Sequence, residues 1–273
     1  VQHIGQADNG TMWFGGRKIY RYDKGIWTIF DQKNISAFRG RVIVSLTIAT
    51  NGVLWVGTEM NEIISYDGKD WISQVVGEGG YRENWITSIL IRQNGEICAI
   101  TIEGMSCQNG VKWRHYPITI PDTVNRVHVK DAILTTTDEI WVPVDNGFLY
   151  HYDGNIWEHY EISSWICCVA TSRDGNLWIF SHEGFGKMEA NGNISYVPVP
   201  SLISNYITTI RAVNDGTIWI GTGGGYQIVR YVNGAFVTMD EKIIHNLEDE
   251  KASLSLDNFP FNHVHYIFQS SDG

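Results

Sequence analysis

Short alternating apolar runs closed by glycine-containing turns fill this chain, and sustained helical periodicity appears nowhere. The clearest stretch runs from Asn214 to Phe236. It holds an Asp215-Gly216 turn, an alternating run from Thr217 to Gly221, and a second run closed by Asn233-Gly234. Asp-Gly and Asn-Gly supply residues that accept positive φ in tight hairpin turns. Ile218, Trp219 and Ile220 are β-branched or aromatic, which suits a pleated, buried surface. One hairpin cannot bury its own apolar face, so copies of it must pack alongside.

The copies are present. Aligned on Trp219, the chain shows Trp13, Trp55, Cys98, Trp141, Trp178 and Trp219, at intervals of 37 to 43 residues. Nine residues before these anchors stand Ile4, Leu46, Ile89, Ala132, Val169 and Ile210. Twelve before stand Val1, Ile43, Ile86, Val129, Ile166 and Ile207. A second aromatic series follows the anchors and reads Trp27, Trp71, Trp113, Trp157, Tyr196 and Phe236. A further partial copy, Val264 and Ile267, stops short of its own anchor. Four short strands per unit at a period near forty predict an all-β β-propeller of four-stranded antiparallel blades. Six complete blades are expected, plus the opening strand of a seventh, in a single domain spanning 1–273. The segment 240–262, with Glu241, Glu248, Asp249, Glu250 and Asp257, is expected to be an acidic insertion, with a short helix across His245–Lys251 as one form it could take.

Composition alters this picture little. All the tryptophans except Trp85 and Trp165 fall in the two repeat series. The formal net charge of −10 argues against nonspecific binding to nucleic acid or an anionic membrane surface. No apolar run approaches the twenty or so residues of a membrane helix, so no membrane insertion by this segment is expected. Val1 falls mid-repeat, so the chain is expected to be part of a longer one. Four cysteines lack metal-ligand spacing. Reduced, buried packing is the expectation for all of them, with a Cys98–Cys107 bridge across a hairpin as the alternative. Cys167 and Cys168, neighbours in a strand, should point to opposite faces.

Asp215-Gly216-Thr217-Ile218-Trp219-Ile220-Gly221-Thr222, then Gly223-Gly224-Gly225 and a Tyr/Asn-Gly turn, resembles the repeat of bacterial two-component regulator propellers. Asn84-Trp85-Ile86-Thr87-Ser88-Ile89, Asn205-Tyr206-Ile207-Thr208-Thr209-Ile210 and Asn262-His263-Val264 resemble the phrase that precedes each blade in that family. Departures are Cys98 for Trp, Asp138-Glu139 for Asp-Gly, and Phe180 for the Gly after the anchor strand. The resemblance implies a sensory propeller, often periplasmic and part of a larger protein. It carries over no output activity, because no kinase or DNA-binding segment accompanies the repeats.

Candidate chemistry gathers at one position, thirteen residues before each anchor. There stand Val42, Trp85, His128, Trp165, Tyr206 and His263. Aromatic and His side chains at one repeated place are expected to ring a channel mouth and to stack on a sugar or another flat, polar ligand. Neighbouring loops add Arg41, Arg82, Arg126, Glu59, Asn61, Asp145, Asn146, His182, Glu183 and Tyr226. The expected binding set is Trp85, His128, Trp165, Tyr206, His263, Arg82, Arg126 and Tyr226, with no catalytic residue, metal or cofactor. Partners would be a small polar ligand or carbohydrate, and a protein partner or the remainder of a longer chain. The competing readings are a propeller lyase using His128, His263 and Glu183 around a divalent ion, and a protein-interaction scaffold. The Asp-Gly turns fall at the opposite ends of the strands and read as structural.

Overall fold

A computed structural model describes residues 3–33, 35–38, 42–76, 85–110, 112–119, 128–144, 147–162, 165–199, 207–213, 215–222, 228–238 and 243–244. They fall into two compact units, one through Leu134 and one from Thr135. The fold is an all-β propeller whose six blades are four-stranded antiparallel sheets. The first three are β1–β4 (His3–Gln6, Met12–Gly15, Ile19–Asp23, Ile26–Phe30), β5–β8 (Ile43–Ile48, Leu54–Thr58, Glu62–Tyr66, Trp71–Val75) and β9–β12 (Ser88–Ile91, Ile97–Thr101, Gly104–Asn109, Lys112–Pro117). The other three are β13–β16 (Ile133–Leu134, Ile140–Val144, Phe148–Tyr152, Trp157–Glu161), β17–β20 (Ile166–Thr171, Leu177–Ser181, Gly184–Met188, Ile194–Val197) and β21–β24 (Ile207–Ala212, Ile218–Thr222, Val229–Val232, Ala235–Thr238). A two-residue strand, β25 (Ile243–Ile244), pairs with β24 and makes the sixth sheet five-stranded. Part of the region expected as an insertion is therefore sheet. The rest of 240–262, including the helix considered at His245–Lys251, and the opening strand of a seventh blade lie outside the described residues.

The turns follow the sequence with one substitution of means. Asn233 and Gly234 both hold positive φ, 50° and 82°, as a two-residue hairpin turn matched to strand twist requires. Where the fourth blade lacks the Asp-Gly glycine, Asp138 adopts φ 67° in its place. Its amide bonds the Thr135 carbonyl at 3.1 Å, as the Gly52 amide bonds that of Ala49 at 2.8 Å. Asp is among the few non-glycine residues that enter this region readily.

The anchor tryptophans pack between sheets. Trp13 meets Phe30 of its own sheet at 5.8 Å and Tyr66 of the next at 5.7 Å. Trp178 likewise meets Phe185 at 5.0 Å and Tyr231 of the following sheet at 5.3 Å. The innermost strands are joined by side-chain hydroxyls. Ser45 Oγ accepts the Ile89 amide at 2.9 Å, and one repeat later Ser88 Oγ accepts the Ala132 amide at 2.8 Å. Both serines are buried, so each bond satisfies a donor and an acceptor that water cannot reach. Gly57 lets the second and third sheets approach. A Cβ there would lie 2.7 Å from Ile86 Cγ2.

Two cysteine expectations are corrected. Cys98 and Cys107, directly opposite on β10 and β11, form a disulfide and are buried. Reduced packing fails for that pair because the antiparallel register sets the two side chains face to face on one side of the sheet. Cys167 and Cys168 do not divide between two faces, since both pack against one apolar cluster that includes Phe180, Phe185, Ile207 and Ile210. A bulge between Ile166 and Cys168 breaks the alternation that the expectation assumed.

Candidate functional site

Burial alternates sharply where the chain enters each inner strand. Ile43, Ile86 and Ile166 are completely buried, and Val129 and Ile207 are buried. Among the described residues, the one before each is more open to solvent. Trp85 is 54% exposed and Trp165 42% exposed, His128 is exposed, and Val42 is half-buried. Trp85 and His128 belong to the first unit and Trp165 to the second. Of the remaining expected binding residues, Tyr206, His263, Arg82, Arg126 and Tyr226 lie outside the described residues, as do Arg41, Asp145 and Asn146.

Two of these opening positions are tied to the loop between the second and third strands of their own sheet. The Val42 amide donates to Glu59 Oε1 at 3.4 Å, and the Glu59 amide returns a bond to the Val42 carbonyl at 3.3 Å. Neighbouring Asn61, at φ 56°, is buried and donates from Nδ2 to the Val76 carbonyl at 2.5 Å. It serves as a structural plug in the loop, and burial removes it from the set of ligand contacts. In the fifth sheet the His182 amide donates to the Trp165 carbonyl at 3.0 Å. The turn His182-Glu183, both residues exposed, is thereby held beside Trp165.

Beyond that turn stands Tyr196, which the sequence spacing groups with the second tryptophan series. The register places it elsewhere. Tyr66 faces Trp71, Tyr152 faces Trp157 and Tyr231 faces Phe236 across the outer hairpins. The corresponding pair of the fifth sheet is Met188 and Ile194, and Tyr196 faces Gly186, two pairs further from the hairpin turn. A shift of two residues keeps Tyr196 on the same face and moves it towards His182-Glu183. Its hydroxyl lies 3.3 Å from Ser181 Oγ, and the Glu183 carboxylate acts on it electrostatically. Burial, and then the Glu183 carboxylate, hold the phenol above its ordinary value, against the lowering effect of the Ser181 hydrogen bond.

One further ionisable group stands just ahead of the innermost strand of the fourth sheet. Asp131 occupies the position that Ser45 and Ser88 hold in the two preceding sheets. Asp131 is exposed as a residue, yet the protein atoms packed around its carboxyl push it up to about 6, with Lys130 opposing the shift. Among the described residues, the one group of three potential metal ligands is Glu96, Cys98 and Cys107. Its sulfurs are consumed by the disulfide, and Glu96 is paired with Arg92 at 3.4 Å.

The architecture and the repeat agree with comparisons to known proteins. Residues 201–224 match the family model described as two component regulator propeller. This chain carries a two-component regulator propeller repeat. The match falls on the Asn205-Tyr206-Ile207 phrase and the Asp215-to-Gly224 run that carry the resemblance in the sequence. Solved structures similar to this chain include virginiamycin B lyase from Staphylococcus aureus, at TM-score 0.69 and 17% identity over 85% of this chain and 81% of that one. YCF48 from Cyanidioschyzon merolae superposes at TM-score 0.69 and 15% identity, covering 88% of this chain and 86% of the other. A further structure shows YCF48 bound to D1 peptide. The extracellular domain of BT4673 from B. thetaiotaomicron, assigned to a hybrid two component system, matches at TM-score 0.56 and 15% identity, over 85% of this chain and 44% of that one. At these identities the likeness is one of fold. No curated protein matches the chain.

Proposed function

We propose that this propeller is a recognition domain that binds a small polar ligand, of which an oligosaccharide is the leading class, and passes the signal to the rest of a larger protein. The observation that carries the reading is the exposure of Trp85 and Trp165 at equivalent positions, each directly before a fully buried Ile. An exposed indole set just before a buried residue at the entrance to a blade offers a flat apolar face, which suits stacking on a sugar ring. The matched repeat and the likeness to the BT4673 extracellular domain support a sensory role. The Cys98–Cys107 disulfide fits an oxidising, extracytoplasmic compartment.

A thermal-shift screen of the chain against oligosaccharides, small metabolites and divalent ions tests the reading, since a ligand of the native state raises Tm by mass action. A sugar or metabolite hit should be lost in Trp85→Ala or Trp165→Ala while the unliganded Tm stays nearly unchanged. Unfolding of those variants would make the indoles core residues and sink the proposal. A shift with divalent ions alone, accompanied by metal-dependent turnover lost in His128→Ala, would favour a lyase instead.

A second reading, a protein-binding scaffold, is favoured by the outer strand β4, where Ile26, Trp27 and Ile29 are all exposed. The sixth sheet already accepts an added strand at the same outer edge, through β25. Silence across the small-molecule screen, with partner capture lost in Trp27→Ala, would support it.

A further inference from the structure

The first and second sheets border a cleft of about 310 Å³, wholly within the first unit. Asp8, Thr11, Trp13 and Arg21 line it from the first sheet, and Asn51 and Tyr66 from the second. A space of this size stands at the lower end of small-ligand sites. Val42 precedes β5 and Asn51 follows it, so the cleft lies at the opposite strand ends from the aromatic entry positions.

Two polar atoms of the lining are left over. Thr11 is 3% exposed and Trp13 5% exposed. Among the described residues, neither Thr11 Oγ1 nor Arg21 Nε has a hydrogen-bond partner, although both atoms are buried. Proteins pair nearly all such groups. Arg21 Nη2 bonds the Asp23 carboxylate at 2.6 Å, and the side chain keeps 32% exposure, so its fork is reachable from outside. The fourth sheet shows what the first one lacks. There Glu139 and His151 hold the places of Thr11 and Arg21: two residues before the anchor tryptophan, and directly opposite it. Glu139 and His151 bond at 3.2 Å, with His151 stacked on Trp141 as Arg21 stands over Trp13. The two positions therefore converge. Threonine ends before the Glu139 carboxylate would begin, so the first sheet has the donors of this arrangement without its acceptor.

We infer that the cleft is a second binding site, for a free α-amino acid, whose carboxylate takes the acceptor's place against Arg21 and Thr11 while its ammonium meets Asp8. Among the described residues of the lining, Asp8 is the one carboxylate, and it is exposed. A simple anion is opposed, because Arg21 already shares its charge with Asp23 and the chain carries a net −10. A simple cation would leave the Thr11 and Arg21 donors unmet. A zwitterion answers both ends of the site. Tyr66 gives its hydroxyl to the Gly68 carbonyl at 2.8 Å, so its ring is left as an apolar wall for the ligand's carbon atoms.

The test is calorimetric titration of the full chain with the standard free amino acids at neutral pH. At least one should bind. For that amino acid, the N-acetyl derivative and the α-amide, each stripped of one charge, should bind at least about tenfold more weakly. Arg21→Lys should weaken binding about tenfold and Thr11→Val about fivefold. Thr11→Val should also hold or raise Tm, because it removes an unpaired buried hydroxyl; a threonine of merely structural use would lower it. Trp85→Ala and Trp165→Ala should leave amino-acid affinity unchanged, so this site and the entry positions stand or fall separately. Silence from every amino acid would overturn the site. So would equal binding of the N-acetyl derivative, or affinity that survives both Arg21→Lys and Thr11→Val.

Discussion

Cys98 and Cys107 stand opposite each other at the cross-strand position where the other sheets pair an anchor tryptophan with a residue of the following strand. The equivalent pairs are Trp13 with Arg21, Trp55 with Ser65, Trp141 with His151, Trp178 with Lys187 and Trp219 with Arg230. In several of these the partner lies over the indole. Arg21 sits 5.8 Å from the Trp13 ring, Arg230 5.6 Å from Trp219, and the His151 ring stacks on Trp141 at 4.0 Å. The third blade replaces that stack with a covalent bond.

The disulfide closes a short loop, with a sequence separation of 9. Chain-entropy arguments put its contribution at about 2–3 kcal/mol. Reduction with a membrane-permeant phosphine, or the double change Cys98→Ala with Cys107→Ala, should lower Tm accordingly. Equal melting of oxidised and reduced protein would count against a structural role.

Removal of the Ser88 hydroxyl should leave the buried Ala132 amide without its partner. Ser88→Ala is expected to cost about 1–3 kcal/mol, the range for stranding a buried donor. Urea melts measure it. A loss well under 1 kcal/mol would mean that water replaces the hydroxyl.

Gly57→Ala should be destabilising through overpacking. The added carbon would meet Ile86 at Cγ2, 2.7 Å away, and at Cβ, 3.1 Å away. These atoms sit at the root of a β-branched side chain and cannot swing clear. A cost of about 1–3 kcal/mol is expected, and combination with Ile86→Val should recover only part of it because Val keeps the branch. A neutral Gly57→Ala would show that the sheets can separate freely.

Asp131 supplies a pH dependence. Its carboxyl titrates at about 6 in the fold, against an ordinary 3.8, so between those values the native state holds more proton than the unfolded chain. Linkage then makes this group's contribution fall as pH rises from about 4 to about 6. Asp131→Asn should flatten Tm over that window. Parallel Tm profiles for parent and variant would place the titration elsewhere.

How far the residues alone reach is visible at Tyr196 and Trp165. Trp165 is legible because it follows the repeat yet falls outside both tryptophan series, and a residue ahead of a buried Ile in a strand must face outward. Tyr196 is misread from spacing, since a linear count cannot see that the β19–β20 hairpin carries it two pairs further along, to Ser181. Gly57 and Ser45 carry no signal in their own sequence neighbourhood, because their partners belong to another repeat.

The sequence by itself determined the blade: turns set by residues that tolerate positive φ, strand faces set by two-residue alternation, and a period near forty that requires stacked copies. These are local properties, fixed within a few residues of where they are read. Only the tertiary structure decided that Cys98 and Cys107 are bonded, that both Cys167 and Cys168 face one cluster, and that Ser181 meets both the Glu183 amide and the Tyr196 hydroxyl. The physical reason is register. A bulge or a two-residue slide leaves composition and spacing almost untouched, yet it reassigns which side chains meet across strands.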